Sequence, residues 1–183
     1  PAIIIEITAI LLYAEAEEMV LLKLLVFSDS HAGLSFMRKC VNCIKPDTII
    51  HLGDHYDDAQ VLMEEYPHIP IHAVAGNCDR YRAPVDAREM LCYPIGGVMI
   101  FMTHGHNYHV KSGTGALTAE ARRFGAKLAL YGHTHRMDYH MEEELTVFNP
   151  GACGSFGGSA GLIRIKDGDI TACSFITAQD LEV

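Results

Sequence analysis

Positive charge is scarce in this sequence. Its 183 residues carry 14 lysines and arginines against 23 aspartates and glutamates, a net charge of −9 at neutral pH. That balance argues against a general binder of nucleic acid or of anionic membranes, and an anionic substrate would need a local source of positive charge. Internal repeats, low-complexity tracts and linkers are also missing. The length therefore fits one domain with a proper core, at most with an appendage.

Cysteine is present without a pattern that uses it. Cys40, Cys43, Cys78, Cys92, Cys153 and Cys173 are scattered through apolar segments of a chain too large to depend on disulfides, which points to a reducing, cytoplasmic compartment. Cys40 and Cys43 have redox spacing, but they sit in a helix-like pattern after "LSFMRK" and no zinc-type partner pair exists elsewhere. Both read as helix residues that pack as small apolar groups. The first 18 residues, "PAIIIEITAILLYAEAEE", lack the basic segment and cleavage site of a signal peptide. Their apolar stretch contains Glu6 and is too short to span a bilayer. They read as an upstream or non-native extension, with Met19 opening a single domain over residues 19–183.

From Leu21 onward, apolar runs of strand length alternate with helical periodicity. "LLKLLVF", "DTIIHL" and "IPIHAVA" are separated by the helix-period residues Leu34, Met37, Val41 and Ile44 and by "DDAQVLMEEY", a βαβαβ opening that implies a parallel sheet. "GVMIFMT", a helix-like "GALTAEARRF" and "AKLALY" follow. The last third, "LTVFN", "GLIRIKDG" and "DITACSFI", has no helix between its strands and suggests antiparallel pairing, with "KDGD" as a hairpin turn. The expected fold is α/β, two packed mixed sheets with helices on their outer faces.

Polar residues recur at the strand ends. Asp29 and His31, Asp54, Asn77, His104, and His133 with His135 each follow an apolar run. In open α/β sheets, ligands bind at the carboxyl ends of strands. Alternate residues of an extended segment point the same way, so His133 and His135 of "GHTH" can face one site. Carboxylate, amide and imidazole donors suit divalent ions such as manganese, magnesium, zinc or iron rather than a thiolate-bound metal. Two such ions need one shared ligand, and Asp54, midway in the order, is the candidate bridge.

"SDSH", "LGD", "GNCD", "THGH" and "YGHTH", in this order, resemble the calcineurin-like metallophosphoesterase superfamily, in particular its small YfcE-type bacterial and archaeal phosphodiesterases. The resemblance runs from Met19 to the C-terminus. It implies a four-layer sandwich and a dinuclear centre, with Asp29, His31, Asp54 and His135 on one metal and Asp54, Asn77, His104 and His133 on the other. Manganese is the first expectation, with zinc, iron, nickel or magnesium as alternatives. Two divalent ions bring more positive charge than the two aspartates cancel, which suits an anionic phosphate ester. The implied activity is hydrolysis of phosphodiester bonds by in-line attack of a metal-bridging hydroxide, with Asn77, His104 and His106 acting on the substrate.

Among the other histidines, His106 shares the face of His104 and is the better candidate to reach substrate, ahead of His55. His51 reads as a satisfied core histidine. Cys78 stands where many members of the superfamily carry a histidine, so the leaving-group proton would come from elsewhere, such as His106. Asp58 and Asp79 are candidates to orient the ligand histidines, Asn149 a structural turn, and Glu142 to Glu144 a solvated hairpin.

The phosphatases of the superfamily continue "GD" with an arginine motif, whereas this chain has "GDHYDD", which disfavours a phosphomonoesterase or phosphoprotein phosphatase. A non-catalytic interaction scaffold of the same fold, such as the retromer subunit, would be expected to lose ligands, and all seven are present. The expected partner is a small phosphate ester, without stable nucleic-acid or membrane binding; a homo-oligomer through sheet edges or loops is compatible with the sequence.

Overall fold

The run Leu21–Phe27 is apolar at six of its seven positions, and the fold uses both of its faces. In the computed structural model, which describes residues 21–31, 33–154 and 158–181, this run is strand β1. Leu24 and Val26 point into one apolar cluster and Leu25 and Phe27 into another, as a two-residue period requires. The extension read over residues 1–18 lies outside the described residues.

β1 leads into helix α1 (Leu34–Ile44), β2 (Thr48–His51), helix α2 (Tyr56–Glu65) and β3 (Ile71–Ala73). β2 pairs parallel to β1 and β3 parallel to β2, so the βαβαβ opening forms as expected. Met37, Cys40 and Val41 of α1 and Leu62 of α2 pack on Leu25, Phe27 and Ile49. Cys40 is buried, as anticipated, whereas Cys43 on the same helix is exposed and has no packing role. β9 (Ser159–Lys166) and β10 (Asp169–Thr177) complete this sheet antiparallel, in the order β10-β9-β1-β2-β3. Asp167 and Gly168 join them with φ of 53° and 83°, the two positive values of a type I′ hairpin.

The second sheet has the order β4-β5-β6-β8-β7. β5 (Val98–Thr103), β6 (Leu128–Leu130) and β8 (Leu145–Pro150) run parallel at its centre. β4 (Met90–Ile95) and β7 (Met137–Glu142) pair antiparallel at its edges. Helix α3 (Gly115–Arg123) covers the outer face, with Leu117 and Ala121 on Phe101, Ala129 and Val147. The inner faces of the two sheets meet through Leu24, Val26, Ile50, Ile100, Leu128, Phe148 and Ile163. Two packed mixed sheets with helices outside them are thus the observed architecture. No helix among the described residues is long and apolar enough to cross a membrane.

The two edge strands escaped the sequence pattern for physical reasons. β4 carries Pro94, tolerated because an edge strand leaves one row of amides unpaired, and β7 reads "MDYHME", a half-exposed alternation with three ionisable side chains.

Phe148 of β8 reaches across the interface to the facing sheet. Its ring stacks on Phe175 at 4.9 Å and 18°, and a Cβ built on Gly161 would collide with that ring. Gly161 therefore gives up side-chain burial to admit an aromatic from the facing sheet. Gly161→Ala is expected to lower stability by about 1–3 kcal/mol through overpacking, measured by urea unfolding, and pairing it with Phe148→Leu should recover part of the loss. Additive losses in the double variant would contradict this packing.

Candidate metal centre

Five strand ends open onto one edge where the sheets meet. Ser28 to His31 follow β1, Gly53 and Asp54 follow β2, and Gly76 and Asn77 follow β3; from the second sheet come His104 after β5 and Gly132 to His135 after β6. Two groups of side chains gather there, each with its candidate ligand atoms within 4.8 Å of one another: Asp29, His31 and His135, and Asp54, His104 and His133. Asn77 joins the second group, its Oδ1 lying 3.2 Å from His104 Nε2. All seven side chains singled out in the sequence are therefore in one place. The His31 and His135 rings lie 5.5 Å apart, and those of His104 and His133 lie 5.0 Å apart.

The backbone is bent to achieve this. Among the described residues, six of the ten non-glycine positions with positive φ are Asp29, His31, Asp54, His55, His133 and His135. Aspartate and histidine tolerate this left-handed region better than most residues, yet each still costs energy and persists only where its surroundings impose it. Asp79 supplies much of that imposition. One carboxylate oxygen accepts the Asp54 and Gly76 amides at 2.9 and 2.7 Å, and the other accepts His55 and Tyr56, both at 2.8 Å. The expectation that Asp79 orients a ligand histidine is corrected: it clamps the backbone of the two loops that carry Asp54 and Asn77.

Asn149 acts in the same way on the other sheet, donating to the Gly132 carbonyl at 3.0 Å and to Thr134 Oγ1 at 3.1 Å while accepting the Gly151 amide. Beneath the centre, His51 Nδ1 accepts the Gly53 amide, so its Nε2 donates to Ser30 Oγ, which donates to Asp58 at 2.7 Å. Burial pushes the His51 pKa down to about 4, which suits this neutral tautomer and the satisfied core histidine read from the sequence. Asp58 therefore bonds a serine that supports His51, and lies 3.9 Å from His55.

The donors and acceptors at the edge do not close on themselves. His104 Nδ1 must donate to the Leu52 carbonyl at 2.8 Å, so in the neutral ring Nε2 presents a lone pair. Around that lone pair stand Asn77 Oδ1 and His133 Nδ1, each at 3.2 Å, and Asp54 Oδ2 at 3.5 Å. Burial lowers the His104 pKa, but the hydrogen bond to Asp54 and the charges of Asp29 and Asp54 outweigh it and raise the pKa overall. Burial alone would also raise Asp54, yet His104 and the Cys78 amide hold it well below the usual carboxylate range. Asp29 Oδ2 accepts Ser28 Oγ at 2.6 Å and the His133 amide at 3.0 Å, whereas Asp29 Oδ1 is buried with no hydrogen-bond partner. Lone pairs converging on points that lack a positive charge are the environment of a cation. Mixed oxygen and imidazole donors fit a divalent transition metal or magnesium.

His106 sits beside the second group, its ring 5.5 Å from that of His104 and 6.2 Å from that of His133. Its Nδ1 is buried without a partner, and its pKa is lowered by burial and by the charge of His104. A cavity of about 560 Å³ opens from this point, lined by Asn77, His106, Arg80, Pro84, Val85 and Glu89. Cys78 is exposed and donates its amide to Asp54 Oδ1 at 2.9 Å. Burial and the adjacent Asp54 raise its thiol pKa, which keeps it protonated at neutral pH.

A family profile described as the calcineurin-like phosphoesterase superfamily domain matches residues 22–167. Over 148 residues the chain is 26% identical to a phosphodiesterase of Methanocaldococcus jannaschii, covering 72% of this chain and 84% of the relative. A Streptococcus pneumoniae protein, described as a predicted phosphoesterase, superposes with a TM-score of 0.72 at 26% identity, covering 87% of this chain and 91% of that one. The vacuolar protein sorting 29 structure from Cryptosporidium parvum gives a TM-score of 0.67 at 17% identity, covering 86% and 98%, a likeness of fold.

If Asp79 sets the loops that carry Asp54 and Asn77, Asp79→Asn should weaken Mn²⁺ binding by about 10–100-fold, the usual effect of losing a partner behind a ligand. Isothermal titration checks it, and unchanged affinity would remove Asp79 from the account.

Proposed function

The chain belongs to the calcineurin-like phosphoesterase superfamily, and from that premise we propose that it is a dinuclear metal-dependent phosphodiesterase. The observation that supports the proposal is the convergence of metal-binding atoms in two adjoining groups: Asp29 Oδ1, buried without a hydrogen bond and 3.1 Å from His135 Nε2, in one, and His104 Nε2, 3.5 Å from Asp54 Oδ2, in the other. Asp29, His31, Asp54 and His135 would hold one divalent ion, and Asp54, Asn77, His104 and His133 the other, with Asp54 common to both sets. Such ions supply Lewis acidity, acidifying a coordinated water and drawing charge from the phosphoryl oxygens. The donor set favours manganese, with zinc, iron, nickel and magnesium as alternatives.

The chain's own residues do the rest. Asn77, which lines the cavity, and His104 beside it orient the phosphoryl group. His106 acts as the imidazolium, giving its proton to the departing alkoxide and becoming neutral, and the lowering of its pKa by burial and by His104 makes that imidazolium the readier donor. The cavity beyond His106 takes the leaving alcohol, against apolar walls at Pro84 and Val85. Cys78 does not substitute for an acid there, since a thiol is a weak donor. All six cysteines are free, which agrees with a cytoplasmic, reducing setting.

The protein loaded with Mn²⁺ should hydrolyse bis(p-nitrophenyl) phosphate, and Asp54→Asn should abolish turnover while leaving the fold intact by circular dichroism. Near-wild-type activity in Asp54→Asn would sink the shared-ligand assignment, and no turnover by a fully metallated wild type would favour an interaction scaffold. His106→Ala should slow alkyl esters by about 10²–10⁴-fold and p-nitrophenyl esters far less, because p-nitrophenolate leaves without a proton. Equal slowing of both would remove the acid role.

A further inference from the structure

Beside the His133 to His135 loop lies a second cavity of about 480 Å³, lined among others by Val110, Lys111, Tyr131, Thr134, Arg136 and Asp138. Thr134 stands between His133 and His135, so this cavity shares a wall with the candidate metal centre. Lys111 and Arg136 are exposed, and among the described residues neither has a carboxylate within ion-pair distance. Arg38, Arg82, Arg122, Arg123 and Lys127 have one; Lys111 and Arg136 are set apart by lining one cavity together. In a chain with 23 acidic residues against 14 basic ones, a cation next to a cavity that has acquired no acidic partner is open to an anionic ligand.

The carboxylate in this wall is already engaged. Asp138 Oδ2 accepts the Tyr131 hydroxyl at 2.7 Å and faces His140 Nδ1 at 2.9 Å, which ties it into its own strand and leaves two cations against one committed anion. Arg136 can offer two parallel N–H groups to an oxyanion and Lys111 a mobile point charge.

We propose that this cavity binds a second anionic group of the substrate, so that the preferred substrates are phosphate esters carrying a further phosphate a few bonds from the scissile phosphorus. The proposal rests on the phosphodiesterase function above and adds a substrate class to it. The cavity beside His106, walled by Pro84 and Val85 and lined by one cation, Arg80, against two carboxylates, Asp79 and Glu89, receives the leaving alcohol, while the Lys111 and Arg136 side receives the anionic part retained on phosphorus.

Two esters with the same leaving group test it: 3-phosphopropyl p-nitrophenyl phosphate and its 3-hydroxypropyl counterpart, each with the Mn²⁺-loaded wild type and with Lys111→Gln/Arg136→Gln. The wild type should prefer the phosphorylated ester by about tenfold or more in kcat/KM, chiefly through KM, and the double variant should reduce that preference to within about threefold of unity. No preference in the wild type, or a preference that survives in the variant, overturns the proposal. If neither ester is turned over, the phosphodiesterase function fails, and calorimetric binding of propane-1,3-diol bisphosphate decides the cavity separately. Binding about tenfold weaker in the double variant supports it, and equal binding overturns it.

Discussion

His104 Nε2 and Asp54 Oδ2 stand 3.5 Å apart across the seam between the two sheets, Asp54 at the end of a strand in one and His104 at the end of a strand in the other. The same division runs through the whole site. Asp29, His31, Asp54 and Asn77 come from the first sheet, and His104, His133 and His135 from the second. The distances that matter for chemistry are therefore set by how the inner faces pack. The apolar interface of Leu24, Val26, Ile50, Ile100, Leu128, Phe148 and Ile163 stabilises the fold and also fixes the spacing of the donors. Interiors packed to crystal-like density transmit small shifts rather than absorb them, so a change as remote as the ring of Phe148 bears on the site.

Gathering those donors has a cost, and the structure offsets it locally. Left-handed backbone at Asp29, His31, Asp54, His133 and His135 is held in place by side chains that touch backbone rather than substrate: Asp79 under the first sheet's loops and Asn149 under the second's. Neutral His51 and Ser30 fill the space beneath with paired hydrogen bonds. The acceptors left over, Asp29 Oδ1 above all, stand where positive charge is needed. An acidic chain can in this way build a site with an appetite for cations and, once they are bound, for a phosphate ester.

The strand-end residues were legible because local sequence determines both where an apolar run stops and which polar group follows. "LGD" and "GHTH" announce themselves without knowledge of the partner strand. The central strands were legible for the same reason, being nearly continuous apolar runs. The edge strands β4 and β7 were not, since Pro94 and the ionisable residues of "MDYHME" break both apolar continuity and clean alternation. The role of Asp79 was also hidden. A carboxylate two residues beyond Asn77 looks like a turn former, and only the tertiary approach of the β2 and β3 loops reveals four amides converging on it. Lys111 and Arg136 carried no local signal at all, because their meaning lies in their meeting at one cavity in space.

The central claim is that two divalent cations share the Asp54 carboxylate at the seam of the sheets. Anomalous diffraction at the manganese edge from crystals grown with Mn²⁺ tests it most directly. The account predicts two peaks roughly 3.5–4 Å apart, one beside Asp29, His31 and His135 and the other beside Asn77, His104 and His133, with Asp54 between them. A single peak, or peaks away from Asp54, would contradict it.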